Sequence, residues 1–272
     1  MGEKDRARFF RAERHDALEG LTAAFRKHRY EPHSHDTYVV GIIVDGCEAY
    51  TLRGERHYAA AGNLCFVNPG EVHDGEPAGH VFAYRITYPS VALLRSIAAE
   101  ITGREPAGAP YFPKATASDD EAAMLFLRCH LQLETAPSTL AADEALVSVY
   151  ALLLRRHAIL DHVPAALAAH GRAVTKVMEF LQSSIDRDPD LASIADVAGL
   201  SRHHLIRLFK RETGLTPHAF LMDCRVRAAR TLLARGDAPA DVALACGFFD
   251  QSHLNRCFKA RVGVAPGAFR RA

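Results

Sequence analysis

What the sequence lacks narrows its class first. No run of 18 or more apolar residues occurs in its 272 positions, so nothing reads as a transmembrane helix. The opening stretch, MGEKDRARFFRAERHD, carries charge but no apolar segment of a secretion signal, which predicts a cytoplasmic chain. The six cysteines, at 47, 65, 129, 224, 246 and 257, form no C-x-x-C pair. That spacing excludes a zinc ribbon or a disulfide framework and fits reduced thiols. Net charge is nearly absent too, with 33 Lys and Arg against 32 Asp and Glu. No Ser-His-Asp, Walker or dinucleotide motif occurs, so hydrolase, nucleotide-driven and dinucleotide-dependent chemistries of those kinds are not indicated.

What is present is a globular composition, 49% hydrophobic and 24% charged, long enough for one large domain or two ordinary ones. The near-zero charge hides a split. Residues 170–272 hold 16 Lys and Arg against 10 Asp and Glu, while residues 1–169 hold 17 against 22. A basic C-terminal third suggests a polyanion partner.

From Leu21 to Tyr88 the chain reads as short strands, at Leu21–Lys27, Tyr38–Val44, Glu48–Leu52, Arg56–Ala59, Asn63–Val67 and His80–Tyr88. Breaks fall at Asp45-Gly46, Arg53-Gly54, Ala61-Gly62 and Asn68-Pro69-Gly70, a spacing that predicts a β-sandwich or barrel. Thr102–Pro113 reads as a loop. Helices are predicted over Asp119–Glu134, which opens on acidic residues, and Thr139–His157, which closes on Arg155, Arg156 and His157. The expected domains are 1–160, a linker over 161–171 and an all-α domain over 172–272.

The last of these contains a repeat. His204-Leu205-x-Arg207-x-Phe209-Lys210-x-x-x-Gly214-x-x-Pro217-x-x-Phe220 returns 49 residues later as His253-Leu254-x-Arg256-x-Phe258-Lys259-x-x-x-Gly263-x-x-Pro266-x-x-Phe269. Upstream, Ile194-Ala195-x-x-x-Gly199 returns as Val242-Ala243-x-x-x-Gly247 after 48, so the second turn has one extra residue. Ten ordered identities mark a duplicated helical unit. Each copy, over 191–212 and 241–262, reads as a helix-turn-helix with Gly at the bend.

Leu205, Leu208 and Phe209, with Leu254, Cys257 and Phe258, form the inward stripes. The outward faces carry His203, Ile206, Arg207 and Lys210, then Gln251, Ser252, Asn255, Arg256 and Lys259. Arg bonds a guanine edge twice, and Gln or Asn an adenine edge. Ser201 and Arg202, at a helix start, suit phosphate. A helix over Pro217–Ala234, about 27 Å long, separates the two readers so that they suit major grooves about 34 Å apart.

The second copy, Ala243-x-x-x-Gly247-Phe248-x-Asp250-Gln251-Ser252-x-Leu254-x-Arg256-x-Phe258-Lys259 through Gly263-x-x-Pro266, resembles the signature of AraC/XylS-family transcriptional regulators. The resemblance covers Arg172 to the C-terminus. It implies a double helix-turn-helix domain joined to a sensing and dimerising domain, with promoter DNA, RNA polymerase and a second copy of the chain as partners. Activation is implied rather than repression, and no cofactor. One departure is Phe249, where the family more often has a small polar residue; it should change the turn, not the fold.

Upstream, His33-x-His35 and Pro69-Gly70-Glu71-Val72-His73, with Gly46, Gly62 and Gly70 at turns, resemble the two cupin motifs and the barrel sensors of AraC-type regulators. The implied architecture is multidomain α+β, a cupin-like barrel and two helices followed by the all-α domain. In metal-binding cupins three His and one Glu converge, but Val39 stands at the Glu position. The resemblance therefore favours a metal-free pocket for a small organic effector, with His33, His35, Tyr38, His73, Tyr84 and Arg85 as lining. Three imidazoles can still hold zinc or iron, so the alternative is a metal at His33, His35 and His73, with the cupin domain acting as a metal sensor or as an enzyme fused to the DNA-binding domain.

Overall fold

Alternation of apolar and polar side chains organises the first half of the chain. The computed structural model describes residues 5–162 and 171–272; most of the expected linker, residues 163–170, lies outside them. Two compact units result, one formed by Met1–Arg29 with Ser34–Pro164, the other by Tyr30–His33 with Ala165–Ala272.

In chain order the strands are β1 (Arg6–Ala12), β2 (Leu18–Phe25), β3 (Tyr30–His33), β4 (Val39–Leu52), β5 (Glu55–Ala60), β6 (Asn63–Val67) and β7 (His73–Tyr88). Helix α1 (Val91–Thr102), strands β8 (Ala109–Tyr111) and β9 (Thr116–Ser118), helices α2 (Asp120–Thr135) and α3 (Leu140–His157), and β10 (Ile159–His162) follow. The first unit is built on an antiparallel sheet ordered β1-β2-β7-β4-β6-β9, with β5 on β4.

Two predicted strands are in fact one. β4 runs through Asp45-Gly46, where the expected turn is replaced by shifts in its register against β7. Gly46 has φ 71°, and a Cβ there would lie 1.9 Å from the carbonyl oxygen of Val81. The glycine serves a bulge and a close backbone approach, not a hairpin. Strand β1 and helix α1 were not anticipated. The helix is nevertheless signalled in the sequence: Ser90 caps it by accepting the Leu93 N–H at 3.0 Å, and Gly103 ends it.

The three helices cover one sheet face. Phe10, Tyr38, Val40, Ile42 and Phe66 meet Leu94, Ile97, Phe126, Leu146 and Tyr150 in a continuous core. Tyr150 shares a hydrogen bond of 2.6 Å with Thr87 beneath it. Asp119 caps α2 and also holds Arg156 and His157 at the end of α3.

The second unit contains α4 (Arg172–Gln182), α5 (Leu191–Ala198), α6 (Arg202–Thr213), α7 (Pro217–Ala234), α8 (Pro239–Ala245), α9 (Gln251–Val262) and α10 (Pro266–Arg270). Its packing repeats as its sequence does. Phe209 meets Phe220 edge to face at 5.5 Å, and Phe258 meets Phe269 edge to face at 5.3 Å. Leu205 and Leu254 are fully buried beside them.

Candidate functional sites: two helix faces and an aromatic sheet face

Each reading helix begins on a side-chain cap. Ser201 accepts the His204 N–H at 3.4 Å, and Asp250 accepts the His253 N–H at 2.6 Å. Opposite the buried Leu205–Phe209 stripe, α6 exposes Arg202, His203, Arg207 and Lys210, with Ile206 half-buried among them. α9 exposes Gln251, Ser252, Asn255, Arg256 and Lys259 opposite Leu254 and Phe258. Spacing of three and four residues puts each set on one face. Among the described residues, Arg207, Lys210, Arg256 and Lys259 have no carboxylate partner. Cations held out in this way are free to meet phosphate or a guanine edge.

A residue that sequence reasoning passed over ties α7 to the segment between α4 and α5. Arg225 of α7 is buried, and its guanidinium donates to the carbonyls of Ile185 at 2.8 Å and Arg187 at 2.5 Å. Burial lowers its pKa, opposed by Asp188. Nothing in a helical window distinguishes this buried Arg from its half-buried neighbours Arg227 and Arg230.

In the first unit the expected effector residues divide between two sheet faces. Tyr84 stacks on Phe82 at 5.3 Å and contacts Phe25 at 6.0 Å, on the face away from the helices. Tyr88 shares that face with Phe9 and with His35, whose ring lies 5.2 Å away. His73 lies 5.2 Å from His35. Arg85 cannot join them, because adjacent strand residues point to opposite faces. It reaches helix α2 instead, donating to Glu134 at 2.6 Å, His130 Nδ1 at 3.2 Å and Thr22 at 3.1 Å. Tyr38 is likewise on the helix side, fully buried against Phe112 with its hydroxyl donating to the Pro110 carbonyl at 2.6 Å. A pocket on the aromatic face would draw on Tyr84, Tyr88, His35 and His73, without Tyr38 or Arg85.

The three histidines of the cupin-like motifs divide between the units, His35 and His73 in the first and His33 in the second. His33 Nδ1 is 2.7 Å from the Glu31 carbonyl and His73 Nδ1 3.1 Å from that of Glu71. An Nδ1–H held this way leaves Nε2 as the ligating atom. Burial lowers the His73 pKa, opposed by Glu71 and Asp74. Val39, at the expected fourth position, is buried and apolar.

Glu48 is a further polar group unforeseen in the sequence. It sits half-buried on β4, and no hydrogen bond to its carboxylate occurs among the described residues. Burial, reinforced by the charge of Asp74, pushes its pKa up to about 8.

Comparison with known proteins matches both units. Residues 16–149 fit the model of the AraC-like ligand binding domain, and residues 194–272 fit a helix-turn-helix domain model. The HTH-type transcriptional regulator YbfI of Bacillus subtilis is 26% identical over 227 residues, covering 83% of this chain and 82% of the relative. The HTH-type transcriptional activator RhaS of an Enterobacter species is 24% identical over 249 residues, covering 89% and 87%. The chain belongs to the AraC/XylS family of transcriptional regulators.

A solved structure of ToxT from Vibrio cholerae shares the fold, with a TM-score of 0.54 at 12% identity over 99% of this chain and 98% of that one. As in the sequence reading, this AraC/XylS chain is a DNA-binding regulator with a ligand-binding domain. Among the described residues no helix is long and apolar enough to cross a membrane.

Proposed function

We propose that this AraC/XylS regulator acts in the cytoplasm as a homodimer that activates transcription, gated by a small organic effector on the aromatic face of its sheet. One observation carries the DNA half. The duplicated helices α6 and α9 present Arg207 and Arg256, 49 residues apart, exposed and without an acidic partner. Two such readers in one chain suit successive major grooves. The effector half is supported by strand β7, which carries Tyr84 on one face and Arg85 on the other. A ligand that shifts Tyr84 shifts the strand to which α2 is bonded, and so biases the helix pair α2–α3 that we assign to dimerisation. A ligand binding one arrangement better populates it, and that differential affinity is the control. RhaS is named a transcriptional activator, which favours activation and hence contact with RNA polymerase.

The test is a fluorescence-anisotropy titration against selected and random duplexes. Arg207→Ala and Arg256→Ala should weaken specific binding far more than non-specific binding. Equal loss on both would reduce these residues to phosphate contacts, and no loss would sink the assignment. A thermal-shift screen of amino acids, sugars and aromatic acids on the full chain identifies the effector class.

The His33-x-His35 and His73 motifs support a second reading, a metal sensor. His33, His35 and His73 would hold zinc or iron, which would supply a charged centre for the effector or act as the signal itself. Stoichiometric metal that is lost in His73→Ala, and that changes DNA affinity, would favour it.

A further inference from the structure

The duplication leaves one residue over. Gly199-Leu200-Ser201 leads into α6, whereas Gly247-Phe248-Phe249-Asp250 leads into α9. The glycines correspond, with φ 65° and 69°, and the caps Ser201 and Asp250 correspond. Leu200 is partly buried and Phe248 is 4% exposed, its ring edge-on to His253 at 5.5 Å. Both serve as the inward anchor of their turn. Phe249 is the residue without a counterpart, and it is 91% exposed, more than any other large apolar side chain among the described residues. Its backbone is held nonetheless, the N–H donating to His253 Nδ1 at 3.3 Å.

We propose that Phe249 reads DNA, laying its ring against thymine methyl groups beside the bases contacted by Gln251 and Ser252. The inference rests on the DNA-binding reading above. Recognition helices present their N-terminal residues to the base edges, and Phe249 stands two residues before Gln251 at that end of α9. The thymine C5-methyl is the apolar group of the major groove, and phenylalanine is a side chain that meets it. Gln251 and Ser252, the first two residues of α9, are exposed as the ring is, at the same end of the helix. A protein docked on the ring would compete with the duplex for that space. The extra residue thus gives the second reader an apolar contact that the first lacks, and makes the two half-sites unequal.

The experiment is selection from random duplexes by the full chain and by Phe249→Ala, which removes no packed atoms. The wild-type motif should contain one or two thymines beside the α9 half-site that the variant no longer selects. Replacing those thymines by uracil should weaken wild-type binding about fourfold, the worth of one buried methyl, and leave the variant unchanged. An unaltered motif and affinity in the variant, or a wild type indifferent to uracil, would overturn the proposal. So would a variant that keeps the motif but fails to activate RNA polymerase in a purified system, since the ring would then be a protein contact. A wild-type chain that selects no motif would overturn the DNA-binding reading itself.

Discussion

Arg85 of β7 and Glu134 of α2 form a largely buried ion pair, Nη1 to Oε2 2.6 Å, on the sheet face opposite Tyr84. Glu134 is 6% exposed, and the approach of Arg8 at 3.5 Å is from an exposed side chain. Removing one partner of such a pair strands the other charge, which costs about 3 kcal/mol. Arg85→Met should therefore lower stability in urea by about that much, and Arg85→Met with Glu134→Leu should recover most of it. A single variant within 1 kcal/mol of wild type would show that the pair does not tie sheet to helix.

The Glu48 carboxyl sets a pH dependence. Its pKa is raised from 4.5 to about 8, so between those values the folded chain keeps a proton that the unfolded chain has released. Stability from this group is therefore full below about 4.5 and is lost as pH rises toward 8. His130 works in the other direction at lower pH. Burial, with Arg85 adding, depresses its pKa from 6.5 to about 4, so it removes stability as pH falls through that range. Above 6.5 it is neutral in both states, which isolates Glu48. Glu48→Gln should flatten the decline between pH 6.5 and 8 and be more stable at pH 8 by on the order of 1–3 kcal/mol. Parallel curves for the two proteins would show that the carboxyl is not buried as described.

How much of this was legible depends on the range of the interactions. Helix limits are local, and the reading of α7 as Pro217–Ala234 and of the caps Ser201 and Asp250 agrees with the structure. Strand facing is not local. Nothing near Tyr38 or Tyr84 says which face each will occupy, because register is decided by strands distant in sequence. The Asp45-Gly46 dipeptide looks like a hairpin until Val81 is found packed against it. Glu48 and Arg225 escaped for the same reason, since their burial is created by segments far along the chain.

Helices α2 and α3 expose Met124 and Leu131, and Leu140 and Val147, each pair seven residues apart. Arg128 lies between the first pair and Glu144 between the second, beside a groove of about 300 Å³. An apolar seam flanked by opposite charges suits a two-fold pairing of identical copies. If the chain pairs through this seam as proposed, Leu131→Glu with Val147→Glu should shift it to monomer in sedimentation, weakening association about 100-fold, with unchanged helical circular dichroism. A dimer that survives the double substitution would place the interface elsewhere.

The duplicated turns give an internally controlled pair of substitutions. Gly199 and Gly247 share the left-handed backbone, but space beyond them differs. A Cβ on Gly199 meets nothing within 4 Å, so Gly199→Ala carries only the left-handed strain, about 1 kcal/mol. A Cβ on Gly247 would lie 2.3 Å from the Ile185 carbonyl and 3.0 Å from Arg225 Nη2. That carbonyl is the acceptor for the Arg225 Nε–H at 2.8 Å, so displacing it leaves a buried guanidinium short of a partner. Gly247→Ala should cost about 3 kcal/mol or more, and in a DNA selection it should blur the α9 half-site while leaving the α6 half-site sharp. Equal losses for the two alanines in urea unfolding would mean that Arg225 does not hold the second turn in place.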